Sequence, residues 1–193
     1  MALKQTPSQT VGPFFAYGLT PEPEGYAFAG IAGARLAGEG AGGERIVIEG
    51  QVFDGEGQVV PDAMIEIWQT DARGHIVRPA GTNAAFTGFG RCGTGSDEAR
   101  RFRFETIKPG ALDEMQAPHI TVVVFMRGLL SHAYTRLYFA DETEANARDP
   151  VLSNLPAERR DTLIASREET ASGPLYRFDI RMQGPDETVF FDL

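Results

Sequence analysis

The chain has 193 residues, 42% hydrophobic and 23% charged, enough apolar material for one large domain or one domain with extensions. Its formal net charge of −9 argues against a nucleic-acid surface, which needs a basic excess. The single cysteine, Cys92, rules out an intrachain disulfide and suits a reducing compartment.

No apolar run is long enough to span a membrane, and Met1 to Pro7 lacks the apolar core of a signal peptide, so a cytoplasmic protein is expected. Residues 1–44 read as an N-terminal arm and loop with little regular structure of its own. Pro7 and Pro13 favour extended or turn backbone before them. Phe14, Phe15 and Tyr17 need cover, either from the chain's own core or from another subunit. Residues 37–44 are glycine-rich and lack the lysine and hydroxyl ending of a phosphate-binding loop.

A domain over residues 45–193 follows. Arg45 to Phe53 alternates as a strand, and Asp54-Gly55-Glu56-Gly57 is a hairpin-type turn. Met64 to Gln69 is the next strand, with Ile65 and Ile67 on one face. Gly88 to Gly93 formally matches the dinucleotide glycine fingerprint, but no strand precedes it and no helix follows, so tight turns are the better reading. Phe102 to Phe104 alternates, Lys108-Pro109-Gly110 turns, and Ile120 to Phe125 is a near-continuous apolar strand of the kind buried on both faces. Ala133 to Phe139 puts Tyr134, Arg136 and Tyr138 on one face. Pro156 to about Glu169 is expected to be the one good helix, with Leu163 and Ile164 as its apolar stripe. Tyr176 to Met182 alternates strictly, and Thr188 to Leu193 is expected to close the chain as a last strand. Many short strands with glycine turns and one late helix predict a mainly β fold, an antiparallel β-sandwich.

Few residues announce chemistry. His75 lies in a turn and His132 near a strand start; no HxH, HExxH, CxxC or GxSxG pattern occurs. His119 opens the Ile120 strand, where a metal site would want a second histidine two residues on; position 121 is Thr. Arg136, centred in its strand, either joins an ordinary surface ion pair or captures a carboxylate with its planar fork.

Asp54-Gly55 through Val60-Pro61-Asp62-Ala63, Ile65 to Asp71, Gly74, Phe104 to Gly110 and Ala117-Pro118-His119-Ile120 resemble the core of the intradiol ring-cleaving dioxygenases. Thr6 to Phe14, Thr135 to Glu142, and Tyr176 to Asp192 resemble the non-iron subunit of the family's two-subunit branch, so the likeness covers nearly the whole chain. It implies an intradiol-type sandwich. Active members hold ferric iron with two Tyr and two His. The matching positions here are Ile76, Leu112, His119 and Thr121, so three of four ligands are missing. A lone imidazole does not hold ferric iron against water. The resemblance therefore implies an α-type chain that binds no metal, whose relic frame serves the sandwich core. A homologous β subunit carries the Fe(3+), within a higher-order αβ assembly. The arm packs on that partner and lends Thr10, Gly12, Pro13 and Phe14 to its pocket, Phe14 standing where the family often has Tyr. Arg136 lies near the substrate carboxylate. The implied reaction cleaves 3,4-dihydroxybenzoate with O2 to 3-carboxy-cis,cis-muconate. The alternative is a non-catalytic β-sandwich module for binding or structure, since fold alone does not choose a function.

Overall fold

Alternating apolar residues become strands where a neighbouring strand satisfies their backbone, and nine segments do so among the described residues. The computed structural model describes residues 4, 7–12, 14–77 and 85–192. Strand β1 is Arg45–Phe53, β2 Met64–Trp68, β3 Phe89–Gly93, β4 Arg101–Ile107, β5 His119–Phe125, β6 Ala133–Phe139, β7 Ile164–Thr170, β8 Gly173–Arg177 and β9 Ile180–Arg181. The hydrogen-bonded order is β3-β2-β5-β6-β7-β8-β1-β4, with β9 beside β1. Strands β3, β2, β5 and β6 form one layer, and β8, β1 and β4 the other. Strand β7 joins them, parallel to β6 at Tyr138–Ile164 and antiparallel to β8 from Ser166–Arg177 to Thr170–Gly173.

Between the layers Ile65, Ile67, Ile120, Val122 and Val124 meet Ile46, Ile48, Phe102 and Phe104, all buried. The sandwich is thus as expected, and the register explains it: β2 pairs β5 with Ile65 opposite Val124 and Ile67 opposite Val122. Leu36 and Ala37 are buried as well, and Leu36 N–H donates to Glu105 O at 2.9 Å. Glu49 is the buried acid of the second layer. Arg101 at 3.2 Å, Arg103 at 3.1 Å and Arg177 at 2.5 Å neutralise it, which ties β4 and β8 to β1.

The layers are not wholly antiparallel. Strands β6–β7, β1–β8 and β1–β9 pair in parallel. A long crossover permits this, and here it runs from β6 to β7 through three short helices, α2 Thr143–Arg148, α3 Pro150–Ser153 and α4 Ala157–Arg160, then a 3₁₀ turn, Asp161–Leu163. A fourth, α1 Phe15–Leu19, lies in the arm. The expected helix from Pro156 to Glu169 therefore stops early. Leu163 is buried in the 3₁₀ turn and Ile164 begins β7, because strands on both edges of β7 satisfy its backbone better than continued helix. Nor do residues 188–192 form a strand: they meet the sheet at Phe191–Tyr134 and through Thr188 N–H to Arg181 O at 2.9 Å.

The predicted strand Tyr176 to Met182 breaks at Phe178 and Asp179, and Gly50 shows why. A Cβ on Gly50 would lie 1.8 Å from Phe178 O and 2.8 Å from the Phe102 ring. The two backbones touch at a glycine. Gly50→Ala is expected to cost about 3 kcal/mol, read as a lower thermal midpoint; an unchanged midpoint would show that Phe178 can move aside.

Candidate functional site

Two turns and one strand build a cleft on the outer face of β5. Gly74 takes φ +83° and leaves no room for a side chain, since a Cβ would sit 1.9 Å from Ala111 O. Gly110 N–H donates to Asp71 O at 2.8 Å, and Thr70 Oγ1 donates to Gly110 O at 2.7 Å. The turn after β2 is thereby locked on the turn after β4, which brings Ile76 and Leu112 to one place. Strand β5 adds His119 and Thr121, two residues apart and so on one face. All four line a cleft of about 250 Å³ with Trp68, Gln69 and Val77. Trp68 stacks on Phe89 at 4.2 Å, and Gln69 is pinned beneath by Thr106 Oγ1 at 2.8 Å and Ile107 O at 2.9 Å.

The relic frame does not serve the core, contrary to expectation. Ile76 is 74% exposed and Leu112 43%, because both stand on turns outside the layers. Among the described residues around the cleft, only His119 offers a good metal donor. Its Nδ1 bonds Ala117 O at 2.9 Å; burial above all lowers its pKa, with the nearby Arg136 charge adding to this and the Ala117 bond opposing it. Isoleucine and leucine offer no lone pair, and a threonine hydroxyl is a poor ligand for a ferric ion. These residues do not fit iron. Among the described residues no group of three His, Cys, Asp or Glu could hold a metal.

Arg136 lies beside this cleft on the same outer face, opposite Thr121 across the β5–β6 ladder. Its Nη1 donates to Tyr138 Oη at 3.3 Å and to Gln116 Oε1 at 3.4 Å, and its guanidinium carbon sits 5.9 Å from the Phe191 ring centre. No carboxylate pairs with it among the described residues. Tyr138 is fully buried, and burial first of all pushes its pKa up to about 12, so it stays a hydroxyl donor. It donates to Asp149 Oδ1 at 3.2 Å.

The arm sits elsewhere on the chain. Thr10 Oγ1 accepts from Gly128 N–H at 2.8 Å, in the β5–β6 hairpin. Gly12 is exposed, and Phe14 is 73% exposed, its ring 5.6 Å from Tyr17. Pro13 lies outside the described residues. Within one chain none of Thr10, Gly12 or Phe14 is seen to contact Arg136. His75 pairs with Asp71 at 3.4 Å in its turn, and His132 bonds Tyr134 Oη at 2.8 Å, so neither joins the cleft.

Residues 32–184 match the family profile described as Dioxygenase (Dioxygenase_C). The chain is 55% identical, over 99% of its length and 98% of the other, to the protocatechuate 3,4-dioxygenase alpha chain of Burkholderia cepacia. It belongs to the intradiol dioxygenase family. Among its relatives in this family is the protocatechuate 3,4-dioxygenase beta chain of the same organism, 37% identical over 76% of this chain and 67% of that one. A solved dioxygenase domain, from a carbohydrate-binding fusion of Streptomyces sp. SirexAA-E, is 21% identical with a TM-score of 0.59 over 95% of this chain and 100% of that one; it shares the fold. Among the described residues of this intradiol dioxygenase, no helix is long and apolar enough to cross a membrane.

Sequence reasoning missed Asp149, Tyr138 and Gln116. Asp149 carried a readable signal, since an Asp before Pro150 marks a helix N-cap. Tyr138 was placed on the Arg136 face without a role.

Proposed function

We propose that this chain is the iron-free α-type subunit of a protocatechuate 3,4-dioxygenase, working with a homologous β partner in a cytoplasmic αβ assembly. The observation that carries the reading is the cleft. The frame of a metal site is kept whole, yet three of its four ligand positions hold Ile76, Leu112 and Thr121. A chain with that cleft, this similar end to end to an alpha chain and related to a beta chain, needs a partner that supplies the metal.

The reaction is cleavage of 3,4-dihydroxybenzoate between its hydroxylated carbons. Both atoms of O2 enter the product, 3-carboxy-cis,cis-muconate, so no other oxidant or reductant is consumed. Ferric iron on the β partner supplies the chemistry that makes the ring reactive toward O2. This chain's residues bind and orient. The exposed Phe14 and the neighbouring Thr10, Gly12 and Pro13 form part of the pocket wall across the subunit boundary. Arg136 holds the substrate carboxylate. A chain of net charge −9 repels an anionic substrate at long range, so a local cation must reverse the field where the ring docks. The fork of Arg136 does so while fixing orientation through parallel hydrogen bonds.

The test is to purify this chain alone and together with its partner. The complex is expected to hold ferric iron and take up one O2 per substrate cleaved, and the chain alone to do neither. Stoichiometric iron and ring cleavage by the chain alone would overturn the reading.

A further inference from the structure

A carboxylate clamp works best when it is held in place before the substrate arrives. Arg carries about 2 kcal/mol of rotamer entropy, much of it lost when it first becomes ordered on binding. The surroundings of Arg136 remove that loss beforehand. Asp149 is 0% exposed. Its Oδ1 accepts from Val151 N at 2.9 Å, Leu152 N at 3.0 Å and Tyr138 Oη at 3.2 Å; its Oδ2 accepts from Ala117 N at 2.9 Å. One buried carboxylate thus ties helix α3, the tyrosine and the segment before β5. One anchor of Arg136 hangs from it: Tyr138 Oη is held directly. The other anchor, Gln116, hangs from Asp113 instead, whose carboxylate accepts from Gln116 N at 2.9 Å and from Gln116 Nε2 at 2.8 Å. The Phe191 ring closes a third side of the guanidinium. Among the described residues both hydrogen bonds of Arg136 use Nη1, which leaves Nη2 and Nε to form a two-pronged bond with a carboxylate.

We propose that Tyr138 and Asp149 are positioning residues for substrate capture: Asp149 orients the Tyr138 hydroxyl, which together with Gln116 holds the Arg136 guanidinium in the pose that receives the substrate carboxylate. The inference rests on Arg136 being the carboxylate clamp. Tyr138 also belongs to a small apolar cluster with Ala117, Leu152 and Leu163. Phenylalanine would keep that packing, so the hydroxyl is the part with a separate task.

The experiment is steady-state kinetics of the assembled αβ enzyme on 3,4-dihydroxybenzoate and on catechol, the same ring without its carboxylate. Tyr138→Phe is expected to raise KM for the carboxylated substrate about three- to tenfold, the effect of one charge-assisted hydrogen bond, and to leave kcat and the catechol KM unchanged. Adding Tyr138→Phe to Arg136→Ala is expected to change nothing further. If Tyr138→Phe raises both KM values alike, or lowers kcat alone, the hydroxyl is merely structural and the proposal falls. If Arg136→Ala alters carboxylate discrimination and Tyr138→Phe does not, the clamp stands and its positioning falls. If neither variant alters it, both fall. Should Tyr138→Phe fail to assemble, Asp149→Asn answers the same question, because the oxygen that caps the helix still accepts from Tyr138 Oη but without its charge, and so holds it more weakly.

Discussion

Asp149→Ala is expected to destabilise the chain by about 3–5 kcal/mol, the range seen when one side of a buried charged network is removed. The carboxylate is 0% exposed and takes four hydrogen bonds. Alanine leaves the N–H groups of Ala117, Val151 and Leu152 and the Tyr138 hydroxyl without their acceptor. Each buried orphan costs about 1–3 kcal/mol. The loss of the helix cap is part of that cost rather than an addition to it. The sum stays below four full penalties because water can enter the vacated polar space. Asp149→Asn should recover about half, since its oxygen can still cap α3 while its amide N–H₂ faces the donor on Ala117. Thermal unfolding and hydrogen exchange at Ala117 and Leu152 read the effect directly. A loss under about 1 kcal/mol would mean that water replaces the carboxylate well, and Asp149 could then not be the rigid base that Arg136 needs.

What the sequence made legible was local. Strands β1 and β6 begin and end where alternation and turn residues put them, and β2 and β5 differ by one residue at one end, because those signals lie within the segments themselves. Strand β7 was hidden. The short apolar pair at its start, Leu163 of the 3₁₀ turn and Ile164 of the strand, fits a helix as well as a strand, and only the pairing with β6 and β8 decides. The four relic positions were legible through motif resemblance, and the structure gathers them around one cleft. Their exposure was not legible. It depends on Gly74 meeting Ala111 O, a contact between turns separated by two strands. The same holds for the surroundings of Arg136. A helix cap can be read at Asp149-Pro150, but its bond to Ala117 spans 32 residues and its link through Tyr138 exists only once α3 has folded over β6.

Arg136→Ala in the αβ enzyme is expected to lower kcat/KM for 3,4-dihydroxybenzoate about a hundredfold, mostly through KM. The estimate starts from the cost of removing one partner of a buried, hydrogen-bonded charge pair, about 2–5 kcal/mol. A pocket at a subunit boundary is partly wet, which places the effect near the low end, about 2.7 kcal/mol or two powers of ten. Catechol, with no carboxylate to hold, should change less than about threefold. Arg136→Lys should recover only part of the loss, because an ammonium is a point charge and cannot offer two parallel N–H bonds. Assembly and stability should hardly change. Arg136 makes no ion pair among the described residues, and Tyr138 keeps its bond to Asp149 without it. This separates it from Glu49, whose three arginines hold β4 and β8 to β1 and whose loss would act on the fold. Kinetics on both substrates, measured on enzyme of confirmed subunit composition, decide the matter. An equal loss on catechol would assign Arg136 to the architecture of the interface, and no loss on either would remove it from the site.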